Sequence, residues 1–299
     1  MKNLLGILSI SLVIMGLSAC SQLMFYKNNV GVGDKPLPNI SVQLWSVNDD
    51  LKRDFKGTLE KIAKMGFNGV EFARNYGPFK KDPKGLKTYI HSLGLEVSGA
   101  HVSIQQLDEQ HIDETLRFME RLGVTAVIVS MDKRAWSPKG VKELVSELNQ
   151  AALKAAQKGI QIGYHNHEKE FRKYLGSTYW DYIASHTSKD VLLQLDVGWV
   201  TYAGMSPVNY VEMYPGRTLT THYKVRTYNG PANKVSGANV IIGNDNFDWV
   251  SLIKANQDYG NTQWIVVEQE EHPKGILPIE AIELSLEGLI DEFDKIRGE

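Results

Sequence analysis

The sequence predicts an α/β fold, a single (β/α)8 TIM barrel, and three observations lead there. Short β-branched or apolar runs alternate with longer amphipathic segments about eight times. Once a leading apolar segment is set aside, roughly 260 residues remain, close to the usual size of one such barrel. Ionisable residues also gather at the C-terminal ends of the apolar runs, the rim that carries chemistry in this architecture.

The predicted strands are Ile40 to Trp45, Gly69 to Phe72, Leu95 to His101, Ala126 to Ser130, Ile160 to His165, Val191 to Asp196, Leu219 to Lys224 and Gln263 to Glu268. Helical patterns lie between them. Thr58 to Met65 sets Leu59, Ile62 and Ala63 on one face and meets a stop at Gly66. Val141 to Lys158, ended by Gly159, repeats the scheme, as does Ile279 to Ile296. Alternation of this kind favours a parallel sheet, and eight units favour closure over an open one. No Gly-x-Gly-x-x-Gly follows any strand, which weighs against a dinucleotide site.

At the start of the chain, Lys2 precedes an apolar run from Leu4 to Leu17 that is too short to span a bilayer comfortably. Leu17, Ser18, Ala19 and Cys20 follow, and together they resemble a bacterial lipobox. The resemblance implies a signal peptide over residues 1–19, cleavage before Cys20 and lipidation of its thiol. The expected product is an exported lipoprotein, periplasmic or anchored at the outer membrane. Residues 20–39 carry Gly31, Gly33, Pro36 and Pro38 without a hydrophobic period and read as a tether to a barrel over residues 40–299. Cys20 is the sole cysteine, so an internal disulfide is excluded and any metal must be held by His, Asp and Glu. Lys plus Arg number 33 against 35 Asp plus Glu, for a net charge of −2. No basic surplus points to nucleic acid, and membrane contact is expected through the lipid anchor only.

The stretch from Gly163 to Glu168 closes the fifth run with His165, His167 and Glu168. With Asp196, His222 and Glu268, each at the end of a run, it describes a nitrogen and oxygen cage for one divalent metal, with Mn, Zn, Fe, Co or, less comfortably, Mg as its occupant. Glu71 and His101 fall on the same rim. So many ionisable side chains around one mouth are costly unless a cation or a polar ligand satisfies them. Alternation aims His165 and His167 at one side of the strand, which leaves either imidazole available as the ligand.

From Ile40 onward the chain resembles the xylose-isomerase-like TIM barrels, also called sugar phosphate isomerases/epimerases. The marks are Val42-Gln43-Leu44-Trp45 on the first strand, Met65 to Glu71 into the second, Gly163 to His167 on the fifth, Leu195 to Trp199 on the sixth, His222-Tyr223-Lys224 on the seventh and Val267-Glu268-Gln269 on the eighth. The resemblance implies a metal held by a Glu, an Asp, a His and a Glu from the last four strands. Asp196, His222 and Glu268 match directly, and His165 stands where many relatives place the first Glu. It also implies isomerisation or epimerisation of a small-molecule sugar by proton abstraction next to a carbonyl. Epimerases of this family use their two Glu residues as base and acid on opposite faces of the substrate. Here only Glu268 remains of that pair, and a metal-bound imidazole has no lone pair left to act as a base. The second proton handler is therefore sought among His101, His167, Glu168, Glu71 and Lys224.

Glu71, Trp45, Trp199 and Arg226 are the expected substrate contacts, the indoles by stacking on sugar faces. After the seventh strand, where the family often shows Gly-x-Gly, this chain has Gly243-Asn244-Asp245. The added carboxylate opposes phosphate, and export points the same way, so a neutral or oxidised sugar is expected.

Two other chemistries and one non-catalytic role compete. A metal-dependent lyase or hydratase acting on a keto-sugar such as a 3-keto-glycoside tolerates loss of the opposing Glu, because elimination needs one base on one face. Nucleases of this family that act on abasic DNA carry ligands for three metals and a basic surface, neither of which is apparent in this sequence. A carbohydrate-binding lipoprotein without catalysis needs no metal cage. Metal content separates them: about one equivalent for the sugar enzymes, three for the nuclease, none for the binding protein.

The anchor is directly testable. A Cys20→Ala variant is expected to lose lipid labelling and to be soluble or held as unprocessed precursor, and unchanged labelling would rule the anchor out.

Overall fold

Eight parallel strands close on themselves in a computed structural model that describes residues 36–226 and 240–298. The expectations for the signal segment 1–19, for Cys20 and for most of the tether 20–39 lie outside the described residues. The strands are β1 (Asn39–Gln43), β2 (Gly69–Phe72), β3 (Glu96–Val102), β4 (Ala126–Val129), β5 (Gln161–His165), β6 (Leu192–Asp196), β7 (Thr220–Tyr223) and β8 (Trp264–Val267). Each pairs with its sequence neighbours, and β1 closes the barrel by pairing with β8. The principal connecting helices are α1 (Phe55–Met65), α2 (Pro83–Ser92), α3 (Ile112–Leu122), α4 (Gly140–Ala156), α5 (Tyr179–His186), α6 (Pro207–Met213) and α7 (Trp249–Ala255), and α8 (Pro278–Arg297) follows β8.

Local chemistry explains the boundaries. Helix α1 starts ahead of the amphipathic stretch because the Asp54 side chain accepts the Gly57 N–H at 2.9 Å. It ends where Gly66 adopts φ 102°. Strand β1 stops short of Trp45, since the Gln43 side chain accepts the Trp45 N–H at 3.2 Å and turns the chain into a 3-10 segment over Leu44–Val47. Leu37 is 2% exposed and already belongs to the core, so the described end of the tether packs on the barrel. A short helix, Val197–Tyr202, follows β6 directly and is capped by Asp196, whose Oδ1 accepts the Trp199 N–H at 3.0 Å. Among the described residues no helix is long and apolar enough to cross a membrane.

The period of two along each strand divides the core. Outward residues such as Val127, Val129, Leu193 and Leu195 join the large apolar cluster that includes the helices. A small separate cluster contains Ala126, Ile128, Leu192 and Leu219. Further along β6 the positions in step with Leu192 turn polar, at Gln194 and Asp196, and both are fully buried.

Glu71 enters this interior through a local irregularity. The β2–β3 register shifts between Val70 and Glu71, which sets Glu71 opposite Gly99. A Cβ at position 99 would lie 2.8 Å from Glu71 Oε2 and 3.3 Å from the Ala126 carbonyl oxygen. Gly99→Ala is therefore expected to cost about 1–3 kcal/mol of stability by overpacking, read as a lower thermal midpoint. An unchanged midpoint would mean that Glu71 has room to move aside.

Candidate active site

Strand register builds the centre of the site. Asp196 is paired with His222 across β6 and β7, and His165 with Gln194 across β5 and β6. His165, Asp196, His222 and Glu268 each offer a ligand atom, all within 4.8 Å of one another, and all four residues are buried. His101, His165 and His222 form a second, overlapping group.

A polar layer holds these side chains in place. Gln194 donates from Nε2 to Glu71 Oε2 and to Thr220 Oγ1, both at 2.7 Å, so its oxygen must be the atom facing the imidazoles. That oxygen lies 2.9 Å from His165 Nδ1 and 2.7 Å from His101 Nε2, which places a proton on each of those nitrogens. His165 is left with its Nε2 lone pair, and this atom is 3.6 Å from Asp196 Oδ2. Glu71 Oε1 accepts from Gln43 Nε2 and from His222 Nε2 at 2.6 Å each, and stands 3.0 Å from His101 Nε2. His222 accordingly turns Nδ1 toward Glu268 Oε2, at 3.1 Å. Ligating imidazoles are commonly fixed in this way, one nitrogen held by a carboxylate or amide and the other free for metal.

Burial and charge set the protonation states. Burial works against a charge on Glu71, but His222 and His101 outweigh it and hold its carboxyl below the usual range. Burial likewise opposes a charged His222, yet Glu71 and Glu268 raise it to about 10, so its Nδ1 carries a proton toward Glu268 that a bound cation would displace. Burial, followed by the neighbouring His222 and His101, keeps His165 well below its ordinary value and thus neutral. Burial and Lys224 lower His167 to about 4. Lys224 lies buried among three carboxylates, with Nζ 2.7 Å from Glu268 Oε2, 2.9 Å from Glu270 Oε2 and 3.1 Å from Asp196 Oδ2. Those carboxylates overcome its burial and raise it, and in return Lys224 offsets the burial of Glu268 and helps pull that carboxyl well below the ordinary range.

Asp196 Oδ2 provides a test of fit for a cation. Despite the nearby ammonium it is buried without a hydrogen bond. An unsatisfied carboxylate oxygen, the free Nε2 of His165, the Nδ1 of His222 and the Glu268 carboxylate converge here, and two imidazoles with two carboxylates suit a divalent transition metal. His167 belongs to neither ligand group.

A cavity of about 200 Å³ opens over the cage, lined by His101, His165, His167, Lys224, Glu268 and Glu270 and, further out, by Trp45, Arg74 and Met131. His101, His167, Lys224, Glu268 and Trp45 thus reach it. Glu71, Trp199, Arg226 and Glu168 do not line it. Glu71 is fully buried and spent on its hydrogen bonds. The Arg226 guanidinium sits 3.8 Å from the centre of the Trp199 ring and pairs with Glu270 and Glu271, so these two side chains brace the rim instead of facing a ligand. Glu168 opens the turn Glu168–Phe171. Sequence reasoning missed Gln194, Glu270 and Arg74. The signal for Gln194 was present, a lone amide two residues before Asp196 in an otherwise apolar strand.

Residues 59–291 match the model of the family described as xylose isomerase-like TIM barrels. Inosose dehydratase 2 of Bacillus cereus is 25% identical over 308 residues, covering 86% of this chain and 95% of the relative. A sugar phosphate isomerase/epimerase from Parabacteroides distasonis ATCC 8503, solved by crystallography, is 21% identical with a TM-score of 0.69 over 90% of this chain and 98% of that one. The crystal structure of IOLI protein with a binding zinc atom is 16% identical with a TM-score of 0.67, over 86% and 99% of the two chains. With the closed eight-stranded barrel in place and the match running through most of it, the chain belongs to the xylose isomerase-like TIM barrel family.

Proposed function

We propose that the protein is a divalent-metal-dependent lyase that removes a β-oxygen substituent from a polyhydroxylated cyclic ketone of the sugar type. The observation that carries this reading is the asymmetry of the cavity. Its carboxylates, Glu268 and Glu270, follow β8, while His101 on β3, His165 at the end of β5 and His167 just beyond it supply the imidazoles. The dehydratase relative supports it, since its name states removal of water from an inosose.

His165, Asp196, His222 and Glu268 would hold the cation, which when bound polarises a ketone oxygen and stabilises the negative charge that develops as the neighbouring C–H is lost. His101 suits the role of base. Its Nε2 is committed toward Gln194 and Glu71, so Nδ1 is the nitrogen left to exchange a proton with a substrate. His167 is a second acceptor, with a buried and unpartnered Nδ1. An imidazole that has taken the α-proton becomes the imidazolium that returns it to the departing oxygen. The C–H and β C–O bonds break, a C=C bond forms beside the carbonyl, and no redox partner is needed. All of this is possible from one face, whereas epimerisation needs proton handlers on opposite faces. Isomerisation or epimerisation stays as the second reading, favoured by the presence of His101 and His167 in addition to Glu268.

A substrate without phosphate fits the rim. In the loop before α7, Asp245 accepts the Gly243 and Phe247 N–H groups at 3.1 and 2.6 Å and the Trp249 indole N–H at 2.9 Å. Its carboxylate thereby occupies donors in the region where barrels of this kind often hold phosphate. The lipobox-like segment ending at Cys20 motivates the companion proposal of an exported lipoprotein.

Two measurements test the reading. Asp196→Asn keeps an oxygen to cap the Trp199 N–H and removes the anionic ligand, so it is expected to retain the fold and to lose stoichiometric metal in elemental analysis. A full equivalent of metal in that variant overturns the cage. In deuterated water, the metal-loaded protein is expected to convert a keto-cyclitol or keto-sugar to a product lighter by water or an alcohol. Solvent exchange with unchanged mass and an inverted or shifted carbonyl would support the isomerase, and neither change with any keto-sugar would favour a binding protein.

A further inference from the structure

The mouth of the cavity is built differently from its floor. The candidate ligands at the floor are polar and buried, whereas Trp45 and Met131 at the mouth are each 50% exposed. Both line the same cavity as His101 and Glu268. Large apolar side chains half in solvent beside a polar cavity describe a place for an apolar ligand surface to cover. The position of Trp45 is enforced, because the Gln43 side chain turns the chain at the end of β1 and buries Leu44 while the indole stays outside. Arg74, on the loop after β2, lines the cavity as well and holds φ 65°. A left-handed backbone is unfavourable for a residue other than glycine, and such strain concentrates where a side chain is needed in one place. The Arg74 guanidinium takes part in none of the ion pairs among the described residues.

We propose that this mouth is a second subsite for a ring-bearing aglycone, and that the leaving group of the elimination is that aglycone and not water; the inference rests on the elimination reading above. Trp45 would stack on a sugar or aromatic face, and the Arg74 guanidinium would donate to hydroxyls when the ring is a sugar. For an aglycone to leave in this way its anomeric carbon must be β to the carbonyl, which puts the ketone at C3. The C2–H and C1–O bonds break, C1=C2 forms, the C2 proton passes to an imidazole and from it to the aglycone oxygen, which departs as an alcohol. The substrate already carries the ketone, so the step needs no oxidant.

The test compares the 3-keto forms of methyl β-glucoside, benzyl β-glucoside and a glucosyl disaccharide, with a free keto-cyclitol alongside, on the metal-loaded protein. The expected kcat/KM for the ring aglycones exceeds that for methyl by about tenfold, and this ratio falls toward one in Trp45→Ala. A further fall in Arg74→Ala confined to the disaccharide identifies a sugar as the preferred ring, and its absence there identifies the aromatic one. A wild-type ratio near one, or a Trp45→Ala variant that keeps the full ratio, overturns the subsite while elimination from the cyclitol still stands. If no ketone loses water or alcohol, the elimination reading fails and calorimetry decides the subsite alone. Tighter binding of benzyl than of methyl β-glucoside, lost in Trp45→Ala, supports it, and equal binding overturns it.

Discussion

One ionised carboxylate without access to solvent organises the barrel interior. Glu71 is buried among Gln43, His101, Gln194 and His222, and each of these presents a hydrogen-bond donor to it within 3.0 Å. Stripping such a charge of a partner costs about 3–5 kcal/mol, so the donors are locked as firmly as the acceptor. The consequence reaches the cage, because the proton that Glu71 holds on His222 Nε2 decides which nitrogen turns toward Glu268. Gln194 extends the same control to His165. The geometry of the candidate ligands is thus set one layer below them, by Glu71 and Gln194, which do not line the cavity.

Charge balance above that layer depends on Lys224. Asp196 and Glu268 face each other's field in a buried space, and the ammonium between them keeps Glu268 ionised. A cation that settles among the four ligand residues competes with this ammonium for the same oxygens. Glu270 matters here because it gives Lys224 a carboxylate outside the cage, itself braced by Arg226 over the Trp199 ring. Trp199 and Arg226, first expected to touch substrate, therefore stand behind the cavity, with the Arg226 charge paired to Glu270 and Glu271.

Membership of the family carries the barrel, while the side chains around the cavity set what chemistry it can support. The acidic groups of the cavity, Glu268 and Glu270, follow β8, and its imidazoles come from β3 and from the end of β5. In the proposed elimination one of these imidazoles takes the proton and returns it to the leaving oxygen.

Much of this was legible in the chain itself, for identifiable reasons. Strand positions and the helix stop at Gly66 follow from periodicities of two and 3.6 and from the conformational freedom of glycine, all local properties of the sequence. The rim placement of His165, Asp196, His222 and Glu268 follows as well, since each ends or follows a strand and every barrel strand points the same way. The reading of Cys20 and the segment before it as a lipobox rests on the sequence alone, outside the described residues. Only the tertiary structure separated Glu71, buried beneath the cage, from Trp45, exposed above it, though both lie at the ends of apolar runs. It also revealed the hydrogen bonds of Gln194 to His101, His165, Glu71 and Thr220, joining four other strands through one amide. Such partners lie up to 123 residues apart, and the pairing of strands around a closed sheet, which no local pattern encodes, is what brings them within hydrogen-bonding distance.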